Sequence, residues 1–155
     1  MTTEEICGEL DRQLADGVEL EQLLTSAVGL LHESDPRYHW TGIYELYPDG
    51  VLRLGPFVGS PTDHVFIAVG QGVCGSAVAE RRNINVPDVS RVSNYLACSA
   101  ATKSELVVLI RQGDKIFAQI DIDSHETNAF CDDSVHKVEK VADWLALAYE
   151  SKGKS

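Results

Sequence analysis

Four cysteines stand at Cys7, Cys74, Cys98 and Cys131. None forms a CxxC pair and the chain opens without a secretory leader, so a structural disulfide framework is not expected. Zinc centres need paired ligand spacings, which His64, His125 and His136 do not supply, so no metal is expected. What remains is thiol chemistry or inert packing, the ordinary fate of a free cysteine. Two positions offer activation. Cys74 lies in Gly72-Val73-Cys74-Gly75, at the predicted start of a helix, where the positive end of the helix dipole stabilises a thiolate. Cys98 lies in Ala97-Cys98-Ser99-Ala100-Ala101-Thr102-Lys103, small and polar surroundings close to a lysine. Cys7 and Cys131 fall at helical or helix-edge positions and read as packing or surface residues.

Acids form a second set. Asp121 and Asp123 alternate with Ile120 and Ile122, so on a strand the two carboxylates share one face and the isoleucines the other. This pattern predicts one core face and one wet face. Glu105 opens a neighbouring predicted strand and could bring a third carboxylate to the same concavity. Three carboxylates held together repel and raise one another's pKa, which keeps one protonated as an acid. Trp40 and Tyr44, four apart on an earlier strand, also point together.

The elements that must position these groups follow from pattern. Thr2 and Glu5 stand at capping-box spacing ahead of Ile6, Leu10 and Leu14. Ala15-Asp16-Gly17 interrupts, and Val18 to Leu31 resumes a helical pattern until Pro36, giving two helices or one bent one. HWTGIYEL and VLRLGPFVG flank Tyr47-Pro48-Asp49-Gly50 as a hairpin. Val65 to Val69 offers a third strand, VCGSAVAERR a short helix after a glycine-rich turn, and Ile84 to Val86 an extended piece. Pro87 to Thr102 is a long irregular segment, of the kind that is often functional. ELVVLIR and KIFAQIDID form a second hairpin. Asp132, Asp133 and Ser134 offer caps for a last helix whose Val135, Val138, Ala142, Leu145 and Tyr149 share a face. Hairpins imply an antiparallel sheet, and the amphipathic end helices can cover one side of it.

The 155 residues suit one domain, expected over 1–155. Thirteen Lys and Arg against 24 Asp and Glu leave a net charge of −11, which disfavours nucleic acid and anionic membranes. No apolar run approaches the roughly 20 residues of a membrane span. The acidic start MTTEEICGELDR is no signal peptide, so a cytoplasmic location is expected.

Taken in order, Gly-Gln-Gly-Val-Cys74-Gly-Ser-Ala, Val86-Pro87-Asp88-Val89, Ala97-Cys98, Lys103-Ser104-Glu105-Leu-Val-Val and Asp121-Ile-Asp123-Ser124 resemble the free methionine-(R)-sulfoxide reductases. These are small enzymes made of a single GAF domain. The likeness runs from about His39 to Phe130, with the two cysteines 24 positions apart as in that family. It implies an α+β GAF fold: a central antiparallel sheet, amphipathic N- and C-terminal helices on one face, and a loop and short-helix active site on the other. It also implies reduction of free methionine-(R)-sulfoxide through a cysteine sulfenic acid and an intramolecular disulfide, with a thioredoxin-like dithiol protein resetting the enzyme and no cofactor.

By position, Cys98 corresponds to the attacking cysteine of the family and Cys74 to its partner in Gly-Val-Cys-Gly. Glu105, Asp121 and Asp123 correspond to the substrate-site acids, and Trp40 and Tyr44 to the aromatic pair that meets the substrate's methyl end. Glu105 is the first choice for the proton donor to the sulfoxide oxygen, and Asp123 the second. The chain departs from the family pattern at His64, where relatives commonly carry a third cysteine, and at Asn94, Tyr95 and Ser99 around Cys98. Leu109 and Ala118-Gln119 also replace more usual residues. The helix-start position of Cys74 keeps the reversed assignment open, with Cys74 attacking and Cys98 resolving.

Two other readings compete. A non-catalytic GAF domain would bind a small molecule as a sensor, although two cysteines beside three acids serve no purpose there and the chain is expected to end without an output domain. A redox switch would use the Cys74–Cys98 pair without a substrate. The end helices could also pair two copies into a homodimer.

Overall fold

The structure is a computed structural model that describes residues 1–93 and 100–152. Cys98, with Asn94, Tyr95 and Ser99, lies outside the described residues. The N-terminal pattern resolves into two helices, α1 (Thr3–Ala15) and α2 (Leu20–Glu33). Thr2 and Glu5 form the expected capping box. Gly17, at φ +81°, ends α1 in a Schellman arrangement: its N–H donates to Leu14 O and that of Val18 to Gln13 O. Only a residue at ease in the left-handed region can make that stop.

Six strands follow: β1 (Trp40–Leu46), β2 (Val51–Val58), β3 (Phe66–Ala68), β4 (Ile84–Val86), β5 (Ser104–Gln112) and β6 (Lys115–Ser124). They form one antiparallel sheet in the order β3-β2-β1-β6-β5-β4. The short helix α3 (Gly72–Glu80) joins β3 to β4, and α4 (Asp132–Ser151) closes the described chain. Within the expected irregular segment, Val89–Arg91 makes one 3₁₀ turn, capped by the Asp88 side chain. None of the described helices is long and apolar enough to cross a membrane.

The sheet separates two cores. On one face Ile6 and Leu10 of α1, Leu23, Leu24 and Leu31 of α2, and Val138, Val141 and Leu145 of α4 pack on Ile43, Leu106, Val108, Ile120 and Ile122. Each such side chain contributes roughly 1.5–3 kcal/mol by leaving water. On the other face α3 packs over Trp40, Tyr44, Leu52, Ile67, Val107 and Leu109.

Two expectations need correction. The face of β6 that carries Asp121 and Asp123 is not wet: the two residues are 0% and 1% exposed. Alternation on a strand shows which residues share a face; it cannot show that a later helix covers the polar one. The N-cap of α4 is Cys131, and its side chain makes no capping bond. Asp132 and Asp133 fall instead in the first turn, where their charge favours the helix dipole.

Candidate active site

Strand register brings the acids together. Glu105 on β5 stands opposite Asp123 on β6, and Asp123 stands opposite Trp40 on β1. Asp121, two residues earlier on the same face, pairs with Val107 and Gly42. Glu105, Asp121 and Asp123 are all buried. Helix α3 delivers Cys74 from its first turn onto this face, with its Sγ 3.9 Å from Glu105 Oε2. Ligand-capable atoms of Cys74, Glu105 and Asp121 lie within 4.8 Å of one another. The three groups share a narrow cavity, walled also by His64, Ile67, Gln71, Gly72 and Val73.

Burial dominates the electrostatics. It raises the Asp121 carboxyl above the ordinary carboxylate range, while the adjacent Glu105 and Cys74 pull the other way and lose. None of the ion pairs among the described residues reaches Asp121. A buried acid without a cation prefers its neutral form, so this cavity keeps a proton in hand.

Trp40 and Tyr44 occupy the same face, ring centroids 6.3 Å apart, with Trp40 also stacked on Phe57. Their polar tips anchor the β2–β3 connection. The Trp40 indole N–H donates to Ser60 O at 3.0 Å and the Tyr44 hydroxyl to His64 O at 2.8 Å. The pair is packed into the covered core beside the cavity and is not among its lining residues, nor is Asp123.

Three residues were not singled out for the site from sequence. Gln119 is fully buried and donates its side-chain N–H to the Cys74 carbonyl at 3.0 Å, tying the first turn of α3 to β6. Its place two residues before Asp121 puts it on the same face, a signal that alternation held. Gly42 lets the Trp40 indole lie across β1, since a Cβ there would stand 2.5 Å from Trp40 Cη2. His64, where the chain departs from the family pattern, lines the cavity. Cys131, expected to be inert, is exposed, and its hydrogen bond with Ser134 holds the thiol below its ordinary pKa. Burial pushes the Cys7 thiol up.

Comparison with known proteins bears on the same region. The GAF domain profile matches residues 18–149. Protein YtsP of Bacillus subtilis is 42% identical over 106 residues, 68% of this chain and 64% of that protein. The free methionine-R-sulfoxide reductase of Escherichia coli is 38% identical over 110 residues, 71% of this chain and 66% of that protein. The aligned stretch thus spans just under two thirds of either relative. The structure of a type II free methionine-R-sulfoxide reductase from Thermoplasma acidophilum superposes with a TM-score of 0.78 at 38% identity, covering 85% of this chain and 96% of that one. The fold is thus that of a known architecture: the chain belongs to the GAF domain family, where its relatives include the free methionine-R-sulfoxide reductases.

Proposed function

We propose that the protein is an oxidoreductase that reduces free methionine-(R)-sulfoxide to methionine at the expense of two cysteine thiols. The observation that carries this reading is the buried Cys74 thiol placed against Glu105 and Asp121 in one cavity. A sulfoxide oxygen is a poor leaving group until protonated, so a thiol and a neutral acid must meet at one point. Burial raises the Asp121 pKa and so favours its neutral form, and both Glu105 and the Cys74 thiol neighbour it directly. Glu105 and Asp121 therefore act as a unit sharing the proton that goes to the sulfoxide oxygen.

The steps balance. A cysteine thiolate forms a bond to the sulfoxide sulfur as the oxygen takes up a proton. Oxygen passes to the cysteine as a sulfenic acid and methionine departs, reduced by two electrons. The second thiol then displaces water from the sulfenic acid to give a disulfide. A dithiol donor of the thioredoxin type returns both cysteines to thiols. A remaining ionised carboxylate, with Asp123 best placed at the strand end, holds the ammonium of the free amino acid. The Trp40 and Tyr44 rings, packed beside the cavity rather than lining it, would meet the S-methyl group only once the substrate opens it further.

In this reading, following the family resemblance, Cys98 is the attacking thiol and Cys74 the resolving one. The reversed order is a second reading, favoured by the 3.9 Å approach of Cys74 to Glu105 at a helix start. A single-turnover assay with dithiothreitol, comparing the (R) and (S) epimers of free methionine sulfoxide, separates these readings. Methionine from the (R) epimer alone is expected. Cys98→Ser then makes none, while Cys74→Ser completes one turnover. Exchange of the two variants' behaviour moves the attack to Cys74. Absence of methionine from every protein, wild type included, overturns the reductase reading and favours a ligand-binding GAF domain.

A further inference from the structure

We propose that the cavity of Cys74, Glu105, Asp121 and His64 is also a binding site for a zinc-class divalent cation. The donor set is mixed and comes from separate elements. Cys74 is supplied by α3, Glu105 by β5 and Asp121 by β6, while His64, from the β2–β3 connection, lines the cavity outside that close group. A thiolate selects borderline and soft cations over magnesium and calcium, and imidazole and carboxylate complete the usual zinc ligands.

Geometry supports the assignment independently of composition. The atoms offered by Cys74, Glu105 and Asp121 all lie within 4.8 Å of one another. Tetrahedral zinc at ordinary bond lengths spaces its sulfur and oxygen ligands about 3.5 Å apart. Cys74 Sγ and Glu105 Oε2 stand at 3.9 Å, so that pair needs to close by only a few tenths of an ångström. Asp121 is wholly buried and borders the cavity, its hydrogen-bonding neighbours are Glu105 and Cys74 of the same group, and none of the ion pairs among the described residues brings it a cation. A buried carboxylate costs free energy until something compensates it, and a cation does so directly. The cavity has space for about one water-sized sphere, enough for an ion and too little for a larger ligand without movement.

Binding replaces the thiol proton, and any proton on the acids, with the metal and releases them to solvent. No electrons move. The loaded site holds Cys74 as a metal-bound thiolate, protected from oxidation and withdrawn from disulfide formation. Binding itself does not depend on the reductase reading; loss of turnover on loading does.

The test is titration of reduced, metal-free protein with Zn²⁺ against a chromophoric chelator, and with Cd²⁺ followed by its thiolate charge-transfer absorption. One equivalent is expected to bind, with Mg²⁺ failing to compete. Cys74→Ser should remove the Cd²⁺ band. Asp121→Asn, close in shape and without charge, should weaken Zn²⁺ at least about tenfold, and His64→Ala should weaken it less. Circular dichroism of each variant reports whether it folds. A Cd²⁺ band that survives Cys74→Ser, or Zn²⁺ affinity unchanged in Asp121→Asn, overturns the proposal and places binding elsewhere. Zinc binding with these variant effects in a protein that never yields methionine sinks the reductase reading and leaves the metal site standing.

Discussion

Trp40 and Tyr44 hold one loop by its carbonyls: the indole N–H reaches Ser60 O and the phenol reaches His64 O, bracketing the stretch that brings His64 to the cavity. Both rings are buried, so their hydrogen bonds form away from competing water. The aromatic pair is thus as much a fastener of the β2–β3 connection as a surface for an apolar group. Tyr44→Phe removes one fastener and keeps the ring. It should cost about 0.5–1.5 kcal/mol in urea unfolding. It should also raise KM for the sulfoxide severalfold, while kcat falls less, because the loop rather than the thiol is loosened.

Gly42 controls the other member of the pair. The Trp40 ring crosses the strand where residue 42 would project its side chain, and a Cβ would also stand 3.0 Å from Phe57 Cβ. Gly42→Ala must push the indole out of its packed position. Overpacking of this kind costs about 1–3 kcal/mol. The displaced indole should redden and weaken in fluorescence. Unchanged fluorescence with wild-type stability would show that the ring has room to spare.

Asp121 makes stability depend on pH in a direction opposite to most carboxylates. Burial raises its folded-state pKa above the unfolded value near 3.8. The native state therefore binds the extra proton. This contribution is fully present below pH about 4 and is lost as pH rises through the folded value. Asp121→Asn stays neutral throughout. Relative to wild type in metal-free protein, the variant should gain stability as pH rises above about 4, until the folded-state pKa of Asp121 is passed. Parallel curves of urea midpoint against pH for the two proteins would show that folding does not raise the Asp121 pKa.

Much of this arrangement was legible in the chain. Hydrophobic period, turn residues and the Thr2–Glu5 box mark the elements to within a few residues, because each is a local choice between competing backbone hydrogen bonds. The shared face of Asp121, Asp123 and Glu105 also follows from alternation. Their burial does not, since it depends on α3 arriving from some 30 to 45 residues away in sequence. Gln119 escaped for the same reason: its partner is a backbone carbonyl on α3, and a carbonyl has no residue type to read. Gly42 is conspicuous only once the Trp40 rotamer is known.

A final relationship lies at the end of the acid-bearing strands. The rings of His39 and His125 stack in parallel, centroids 3.9 Å apart, and the His125 backbone N–H donates to His39 Nδ1 at 3.0 Å. The acceptor must be an unprotonated nitrogen, so this bond exists only while His39 is neutral. Desolvation, with smaller contributions from His39 and Lys103, holds the His125 pKa below its usual value. For a depressed histidine the unfolded chain binds more protons, so stability is present above pH about 6.5 and is lost as pH falls through the folded value. His39→Asn keeps a side-chain acceptor and removes the ring stacked on His125. Wild type should lose stability between pH 7 and pH 5, and His39→Asn should lose less, read as urea midpoints at the two pH values. Because His39 directly precedes Trp40 and donates its own N–H to Asp123 O at 3.0 Å, loosening this joint disturbs both strands that carry the site. An equal loss in both proteins would show that the His39 ring does not contribute to the pH dependence.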